Sequence, residues 1–260
     1  MRRLVKWIGF VLAGVVLLIV VGLIWFFWPE GPNLADPLAG AYRTPDGELL
    51  ILTVNGQDTV RVMHPQTGET RTLFVTDVDS FESGDGWRSQ SPVTLRGEVE
   101  RGADGGVTAL IWQPEGGEES RIERLPFRER EVHFESGEIT LRGLLVLPEE
   151  GVGPIPTQVA VHGSGRDQAV YGYRLPYLAA AHGMAGFVFD KRGTGESEGN
   201  YTQNFPDLAE DVKAAVEFLA TQPEVDPARI GLVGYSQGGW IAPLAAAQGA
   251  PVNTIVVNYG

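Results

Sequence analysis

The second half of the chain, from residue 129, shows a regular alternation of strand-like and helix-like segments. A hairpin pattern over residues 132–147 turns at Ser136-Gly137 and precedes the alternation. Apolar runs then alternate with helical patterns, with strands at 158–162, 185–190, 230–235 and 252–257 and helices at 175–182, 207–220 and 238–248. Strands separated by helices lie parallel in one sheet, with the helices packed on its faces. The sequence therefore predicts a six-stranded α/β domain over residues 129–260.

Residues 37–127 follow a different pattern, in which short β runs are separated by turn residues. The runs lie at residues 48–54, 59–63, 70–75, 93–99, 107–112 and 121–125. Asn55-Gly56, between the first two runs, is typical of a two-residue hairpin turn of type I′. Short strands at this spacing predict a small antiparallel β domain, either a sandwich or a barrel.

The N-terminal segment, residues 1–30, contains an uncharged, mostly apolar run at 7–28. A helix of that length crosses a hydrocarbon core of roughly 30 Å. Arg2, Arg3 and Lys6 precede the run, which predicts that the N-terminus stays in the cytoplasm. The alternative is a cleaved signal peptide, but the run is long for one and ends in aromatic residues. We expect a single-pass signal anchor in the cytoplasmic membrane, with the catalytic domain on the extracytoplasmic side.

Composition excludes several kinds of partner and site. The chain has 260 residues, a formal net charge of −13 and no long basic run, so nucleic acid is not an expected partner. Cysteine is absent, which excludes disulfides, thiolate metal ligands and a cysteine nucleophile. No metal-binding or cofactor-binding pattern is present, and neither a metal nor a cofactor is predicted.

Two serines match the pattern Gly-x-Ser-x-Gly, and their surroundings distinguish them. Ser236 lies between an apolar strand and a helix, in the segment Gly234-Tyr235-Ser236-Gln237-Gly238. So tight a turn presents a serine hydroxyl at the carboxyl edge of the sheet, next to the positive end of the helix. Ser197 instead lies between Glu196 and Glu198, where a developing alkoxide would be repelled. Ser236 is therefore the predicted nucleophile.

A serine nucleophile in acyl transfer needs hydrogen-bond donors for the oxyanion that forms. The N–H of Gln237, directly after the nucleophile, is one expected donor. The second is expected from the loop after an earlier strand, which here is His162-Gly163-Ser164-Gly165. Small residues there let a backbone N–H approach the substrate, so we assign the N–H of Ser164, with Gly163 as its neighbour. An ordinary glycine-rich turn is the alternative.

Three motifs in this order resemble members of the α/β-hydrolase family, in its dienelactone-hydrolase-like and serine-aminopeptidase-like branches. They are Val161-His162-Gly163-Ser164-Gly165, Asp190-Lys191-Arg192-Gly193-Thr194-Gly195-Glu196-Ser197 and the segment 226–239 around Ser236. The resemblance covers residues 129–260. It implies that the second motif shapes the loop after the fourth strand, with Asp190 and Arg192 as a structural pair and Ser197 outside the chemistry.

The resemblance also implies a triad in the chain order Ser, acid, His. The 24 residues after Ser236 contain no Asp, Glu or His. Upstream, His162 either shapes the oxyanion loop or acts as the base, whereas His182 at a helix end and His133 on the first strand do not suit that role. We therefore expect residues 1–260 to be the N-terminal portion of a longer enzyme, with the first six strands of the fold and with neither the triad acid nor its histidine.

The predicted function is a membrane-anchored serine hydrolase that cleaves carboxylic esters or small amides through an acyl-enzyme on Ser236. A serine peptidase of the same fold is the alternative among enzymes. The alternative from another class is a non-catalytic, hydrolase-like binding protein. Tyr171, Tyr173 and Tyr177 follow the oxyanion loop, where they either line an acyl pocket or pack beneath the loop.

Overall fold

A computed structural model describes residues 34–149, 153–166 and 168–259. The predicted signal anchor at residues 7–28 lies outside these ranges. Within them, no helix is both long enough and apolar enough to cross a membrane. The described chain forms a barrel of eight strands followed by a sheet of six.

The barrel is closed and antiparallel. Its strands are β1 (Gly40–Arg43), β2 (Leu49–Gly56), β3 (Thr59–Met63), β4 (Thr70–Asp77), β5 (Ser80–Gly84), β6 (Val93–Arg101), β7 (Val107–Pro114) and β8 (Ser120–Arg124). Each strand pairs with the next, and β1 closes the ring by pairing with β8. Alternate side chains, such as Leu50 and Leu52 of β2, fill the interior. Of the two arrangements predicted for this region, the structure shows the barrel.

The barrel differs from the sequence prediction in two strands and one turn. The strands β1 and β5 are short and hold glycine and polar residues, so no apolar run reveals them. The predicted hairpin turn at Asn55-Gly56 is wrong. Gly56 pairs with Thr59, and the chain reverses at residues 57–58, because a bulge between Val54 and Gly56 shifts the register. The Asn55 side chain instead accepts a hydrogen bond of 2.8 Å from Arg61.

The second part of the chain is a twisted α/β sheet with three helices. Its strands are β9 (Phe127–Ser136), β10 (Ile139–Pro148), β11 (Ile155–Val161), β12 (Ala185–Phe189), β13 (Val225–Tyr235) and β14 (Thr254–Asn258), and its helices are α1 (Leu175–Ala181), α2 (Phe205–Ala220) and α3 (Gln237–Ala247). The spatial order is β9-β10-β12-β11-β13-β14. Strand β10 pairs antiparallel with β9 on one side and with β12 on the other. The remaining pairs are parallel, so β12, β11, β13 and β14 all run in the same direction. The predicted hairpin and parallel sheet are confirmed.

The two faces of this sheet are covered by different elements. Side chains alternate along β10, so that Leu145 and Leu147 pack with α2 and α3, whereas Leu144 and Val146 pack with α1. The core on the α1 face also contains Ile51 of β2. Residues 34–260 form one compact unit. Within it, the barrel covers the same face of the sheet as α1.

The parallel strands bring three loops to one edge of the sheet. The strands β11, β12 and β13 end at Val161, Phe189 and Tyr235, and all three point the same way. Ligands of open α/β sheets bind outside this carboxyl edge. The predicted oxyanion loop, the 190–197 loop and the nucleophile turn therefore begin side by side.

Candidate active site

Ser236 forms a strained turn between β13 and α3. The strand ends at Tyr235 and the helix begins at Gln237, so a single residue with φ of 51° changes the chain direction. A positive φ is unfavourable for a residue that carries a Cβ atom. The Ser236 N–H donates to the carbonyl of Asn258 on β14 at 3.0 Å, and the residue is exposed. The turn thus holds a serine at the sheet edge, open to solvent.

Two of the predicted turn glycines are required by close backbone contacts. A Cβ atom on Gly234 would lie 2.2 Å from the carbonyl oxygen of Gly238. A Cβ atom on Gly238 would lie 2.0 Å from the carbonyl oxygen of Val161. Neither distance is compatible with a side chain. The first turn of α3 therefore packs directly on the end of β11, where the predicted oxyanion loop starts.

The loop after β11 lies against the serine. A Cβ atom built on Gly163 would lie 3.4 Å from the Ser236 Cβ and 3.9 Å from its Oγ. The Gly163 N–H donates to the Tyr173 hydroxyl at 3.1 Å, and the Tyr201 hydroxyl donates to the Ser164 carbonyl at 2.8 Å. These bonds fix the loop on both sides, next to the serine.

The two predicted oxyanion donors belong to segments that meet at Ser236. The N–H of Gln237 is the first of α3, where no acceptor exists within the helix. The N–H of Ser164 follows Gly163, whose own N–H is already bonded to Tyr173. Ser164 and Gly165 are both exposed at the sheet edge. The structure brings all of these predicted residues to one place.

Lys191 connects the two segments, although sequence reasoning does not single it out. Its Nζ donates to the carbonyls of Gly163 at 2.8 Å and His162 at 3.3 Å, and to Oε1 of Gln237. Burial lowers the pKa of Lys191 to about 8, and the charge of Asp211 opposes this shift. The one signal in the sequence is a lysine directly after a buried strand, at the edge where ligands bind.

His162 is buried within the loop that it begins. Burial, and after it the charge of Lys191, lowers the pKa of His162 to about 3, so the ring is neutral at pH 7. Its Nε2 accepts the N–H of Lys191 at 3.4 Å, and its ring centroid lies 5.8 Å from that of Tyr173. These contacts tie the ring to the 190–197 loop and to Tyr173, which itself bonds to Gly163. They favour the loop-shaping role over that of a general base.

The other histidines of the described ranges lie elsewhere. His182 follows the carboxyl end of α1, and His133 lies on β9, at the opposite edge of the sheet from β14. His64 lies in the barrel, with its Nδ1 3.7 Å from Glu48. Over the same ranges, no three side chains of His, Asp or Glu are arranged to hold a metal ion.

The expected pairing of Asp190 with Arg192 is wrong. Asp190 accepts the N–H of Ala169 at 2.5 Å and lies 3.9 Å from Arg142. Arg192 binds the buried carboxylate of Asp211 on α2 through two hydrogen bonds, of 2.6 and 2.8 Å. The chain turns between the two residues, so their side chains leave the loop on different sides and find different partners.

Ser197 has the structural role that the resemblance implies. Its Oγ donates to the carbonyl of Asp190 at 2.6 Å and accepts the N–H of Arg142 at 2.9 Å. A Cβ atom on Gly195 would lie 2.1 Å from the Asp190 carboxylate, so the loop wraps closely around that group. The first bond closes the 190–197 loop on itself, and the second attaches that loop to β10.

Of the three tyrosines after the oxyanion loop, Tyr173 supports the loop directly. Tyr177 is fully buried on α1, and Tyr173 binds Gly163 as described. Tyr171 has a φ of 64°, and its carbonyl accepts the N–H of Val54 from the barrel at 3.0 Å. Tyr177 belongs to the core shared by the sheet and the barrel, and Tyr171 provides a backbone link to the barrel.

Residues 87–259 match the family model described as X-Pro dipeptidyl-peptidase (S15 family). The match extends over more than half of the chain and includes Ser236, the loop after β11 and the 190–197 loop. The chain belongs to this family. With the sheet order described above, the match confirms the predicted membership of the α/β-hydrolase superfamily.

Individual relatives are similar over part of their length. An uncharacterised protein of Mycobacterium tuberculosis is 30% identical over 149 residues, which is 56% of this chain and 51% of that protein. A thiohydrolase of Aspergillus aculeatus is 37% identical over 123 residues, 45% of this chain and 37% of its own. The chain thus spans about half, or less, of the length of the curated relatives it matches.

Solved structures are similar over about half of this chain. A hypothetical protein from Pseudomonas aeruginosa has a TM-score of 0.44 at 32% identity, over 50% of this chain and 42% of its own. A dienelactone hydrolase-like promiscuous phosphotriesterase from metagenomic libraries has a TM-score of 0.45 at 23% identity, over 50% of this chain and 58% of its own.

Proposed function

We propose that the protein is a serine hydrolase that cleaves carboxylic esters or small amides through an acyl-enzyme on Ser236. The observation that carries this proposal is the strained turn at Ser236, with φ of 51°, pressed against the loop of Gly163. Strain of this kind destabilises the fold and is retained where function requires it. The exposed position of Ser236 gives a substrate access to its hydroxyl.

In this mechanism, the Ser236 Oγ attacks the carbonyl carbon of the substrate, and the hydroxyl proton passes to a base and then to the leaving alcohol or amine. The carbonyl oxygen becomes an oxyanion, which accepts hydrogen bonds from the N–H groups of Gln237 and Ser164. The amino end of α3 favours this negative charge. Water then cleaves the acyl ester and restores the serine.

A peptidase is the second candidate, and the family description favours it. The matched family is described as an X-Pro dipeptidyl-peptidase, and a peptide bond would be attacked by the same serine with the same two donors. A dipeptide X-Pro p-nitroanilide and a short-chain p-nitrophenyl ester, assayed side by side, distinguish the two candidates. Turnover of the anilide at a kcat/KM equal to or above that of the ester would identify the peptidase.

The nucleophile is tested by labelling the full-length protein with a fluorophosphonate, which reacts with activated serines. We expect Ser236→Ala to abolish labelling and ester turnover. Ser197→Ala is the matched control, since Ser197 lies in the other Gly-x-Ser-x-Gly segment and should leave labelling in place in folded protein. Undiminished labelling of Ser236→Ala would refute the assignment, and an unreactive wild-type protein would support the non-catalytic binding protein instead.

We also propose that residues 7–28 anchor the protein in the cytoplasmic membrane with residues 34–259 on the outer side. The support is the length of the uncharged run and the three basic residues before it. In isolated membranes, the protein should resist extraction with carbonate. In intact spheroplasts, protease added from outside should digest residues 34–259. Release into the soluble fraction would overturn the anchor, and protection from protease would overturn the orientation.

A further inference from the structure

A groove of about 190 Å³ lies between the barrel and the nucleophile turn. Its lining comes from both parts of the molecule: Arg61, Gly172, Tyr173, Arg174, Leu175 and Tyr235. Arg61 is on β3 of the barrel, whereas the others belong to the loop before α1, to the start of α1 and to the end of β13. The groove is thus built only where the two parts meet.

Two of the lining residues belong to the surroundings of Ser236. Tyr235 is the residue directly before the serine, and the Tyr173 hydroxyl accepts the N–H of Gly163 in the oxyanion loop. The guanidinium of Arg174 lies 5.9 Å from the centroid of the Tyr235 ring. The groove therefore borders the residue before Ser236 and the tyrosine that bonds to the oxyanion loop.

The groove has a concentration of positive charge that is unusual for an acidic protein. Burial lowers the pKa of Arg61, and the charges of Arg88 and Arg174 lower it further. Arg61 and Arg88 both lie over the ring of Trp87, with their Cζ atoms 5.1 and 5.2 Å from its centroid. The ring attracts both cations, but it carries no net charge that would neutralise them.

No carboxylate in the described ranges neutralises these arginines. Eight other arginines there pair with an Asp or Glu, with shortest N···O distances of 2.6 to 3.7 Å: Arg71, Arg101, Arg121, Arg124, Arg130, Arg142, Arg192 and Arg229. Arg61 instead donates to the neutral amide of Asn55 at 2.8 Å, and its buried Nε has no hydrogen-bond partner within those ranges. Like charges held together and partly buried lower stability unless an anion accompanies them.

We infer that this groove binds a negatively charged end of the substrate, a carboxylate or a phosphate group, while the scissile carbonyl lies at Ser236. The inference rests on the proposed hydrolase function and specifies its substrate class. Guanidinium groups present paired N–H donors that match the oxygens of both anions. On this assignment, Arg61 and Arg174 determine specificity, and the barrel contributes the first of the two.

Binding can be measured without catalysis, in full-length protein carrying Ser236→Ala. The ligands are monoethyl succinate, ethyl butyrate and ethyl 3-phosphonopropionate, which are ethyl esters that differ in a terminal carboxylate, methyl or phosphonate. We expect calorimetry to show both anionic esters bound at least about tenfold more tightly than ethyl butyrate, with the preference falling as salt rises. The tighter of the two anions identifies carboxylate or phosphate as the natural group.

The arginines are tested in the same protein. Arg61→Gln and Arg174→Gln should each weaken binding of the anionic esters by about tenfold, whereas Arg61→Lys should retain part of it. Arg96→Gln is the matched control, because Arg96 is an exposed arginine of the barrel outside the groove. Equal binding of charged and neutral esters, or full anion binding by the folded Gln variants, would overturn the inference.

Turnover of the same esters by the protein with Ser236 intact separates this inference from the proposed function. If none of the three esters is hydrolysed but Ser236→Ala protein still binds the two anionic ones through Arg61 and Arg174, the proposed function fails and the anion site stands. If all three esters are hydrolysed with equal kcat/KM, and Arg61→Gln changes none of these values, the hydrolase stands and the anion site fails.

Discussion

At the residue scale, Lys191 holds both oxyanion segments through one ammonium group. Lys191→Met keeps the length of the side chain but leaves two carbonyls and the Gln237 amide oxygen without their donor. We expect kcat/KM for an ester to fall by about 10- to 100-fold, mainly in kcat, because the donors lose their positions. The free energy of unfolding should fall by about 1–3 kcal/mol.

Steady-state kinetics and urea unfolding measure these two effects. Lys213→Met is the matched control, since Lys213 lies on α2 and only approaches Glu210, at 3.8 Å. A Lys191→Met protein with the kcat of the wild type would contradict the positioning role.

His162 makes the fold sensitive to acid. Its pKa is lowered from 6.5 to about 3, so below pH 6.5 the unfolded chain binds a proton that the folded protein does not. The contribution of His162 to the free energy of unfolding is therefore fully present above pH 6.5 and is lost as the pH falls toward 3. At pH 4.5 the loss from this group is about 2–3 kcal/mol.

Substitution of this one histidine isolates its contribution from that of the carboxylates. His162→Gln keeps an acceptor for the Lys191 N–H but does not titrate. We expect the difference in unfolding free energy between pH 7 and pH 4.5 to be smaller in this variant than in the wild type by that amount. Equal pH dependence in both proteins would show that His162 binds its proton in the folded state as well.

At the element scale, the contact of α3 with the end of β11 positions the nucleophile. Gly238→Ala would force a methyl group to within 2.0 Å of the Val161 carbonyl, so the helix must move away from the strand. We expect loss of fluorophosphonate labelling and a decrease of about 3 kcal/mol or more in unfolding free energy. Gly231→Ala on β13 is the control, because its Cβ would meet Thr254 at an ordinary 3.5 Å. Normal labelling of Gly238→Ala would contradict the close-packing argument.

The elements also show what the sequence can and cannot reveal. The carboxyl ends of β11, β12 and β13 are predicted to within one residue, because these parts of the strands are apolar and end at glycine-rich loops. The start of β13 is missed, because the segment 226–229 is charged at both ends and mostly exposed. The nucleophile turn is predicted because its glycines are required by local backbone geometry. The Asn55-Gly56 turn and the Asp190–Arg192 pair are not, because a bulge and a remote partner, Asp211, decide them. Lys191 is missed because its acceptors come from two segments that are remote in the sequence, the loop after β11 and the start of α3.

At the scale of the whole molecule, the barrel and the sheet share a core. Ile51 of the barrel packs with Leu144 and Val188 of the sheet, whereas Leu73 faces the barrel interior. We expect Leu73→Ala to lower the stability of the barrel by about 2–5 kcal/mol and to lower that of β11 and β13 equally, because the two parts unfold together. Hydrogen exchange followed by mass spectrometry measures the protection of backbone amides in the barrel and in the sheet separately.

Ile51→Ala serves as the comparison, because it weakens the shared core itself. In that variant the sheet should keep protection under conditions in which the barrel has already opened. If Leu73→Ala leaves exchange in β11 and β13 unchanged, the two parts fold independently and the shared core does not couple them.

The order of the strands along the chain has a consequence for synthesis on the ribosome. Every strand of the barrel pairs with its chain neighbour, and only the β1–β8 contact closes the ring, so the barrel can form once residue 124 has emerged. Its outer face, which includes Ala41 and Ile51, then remains exposed to water until the sheet strands are made. The nascent protein therefore passes through a stage with an apolar surface, and slow translation of residues 125–190 should increase its demand for chaperones.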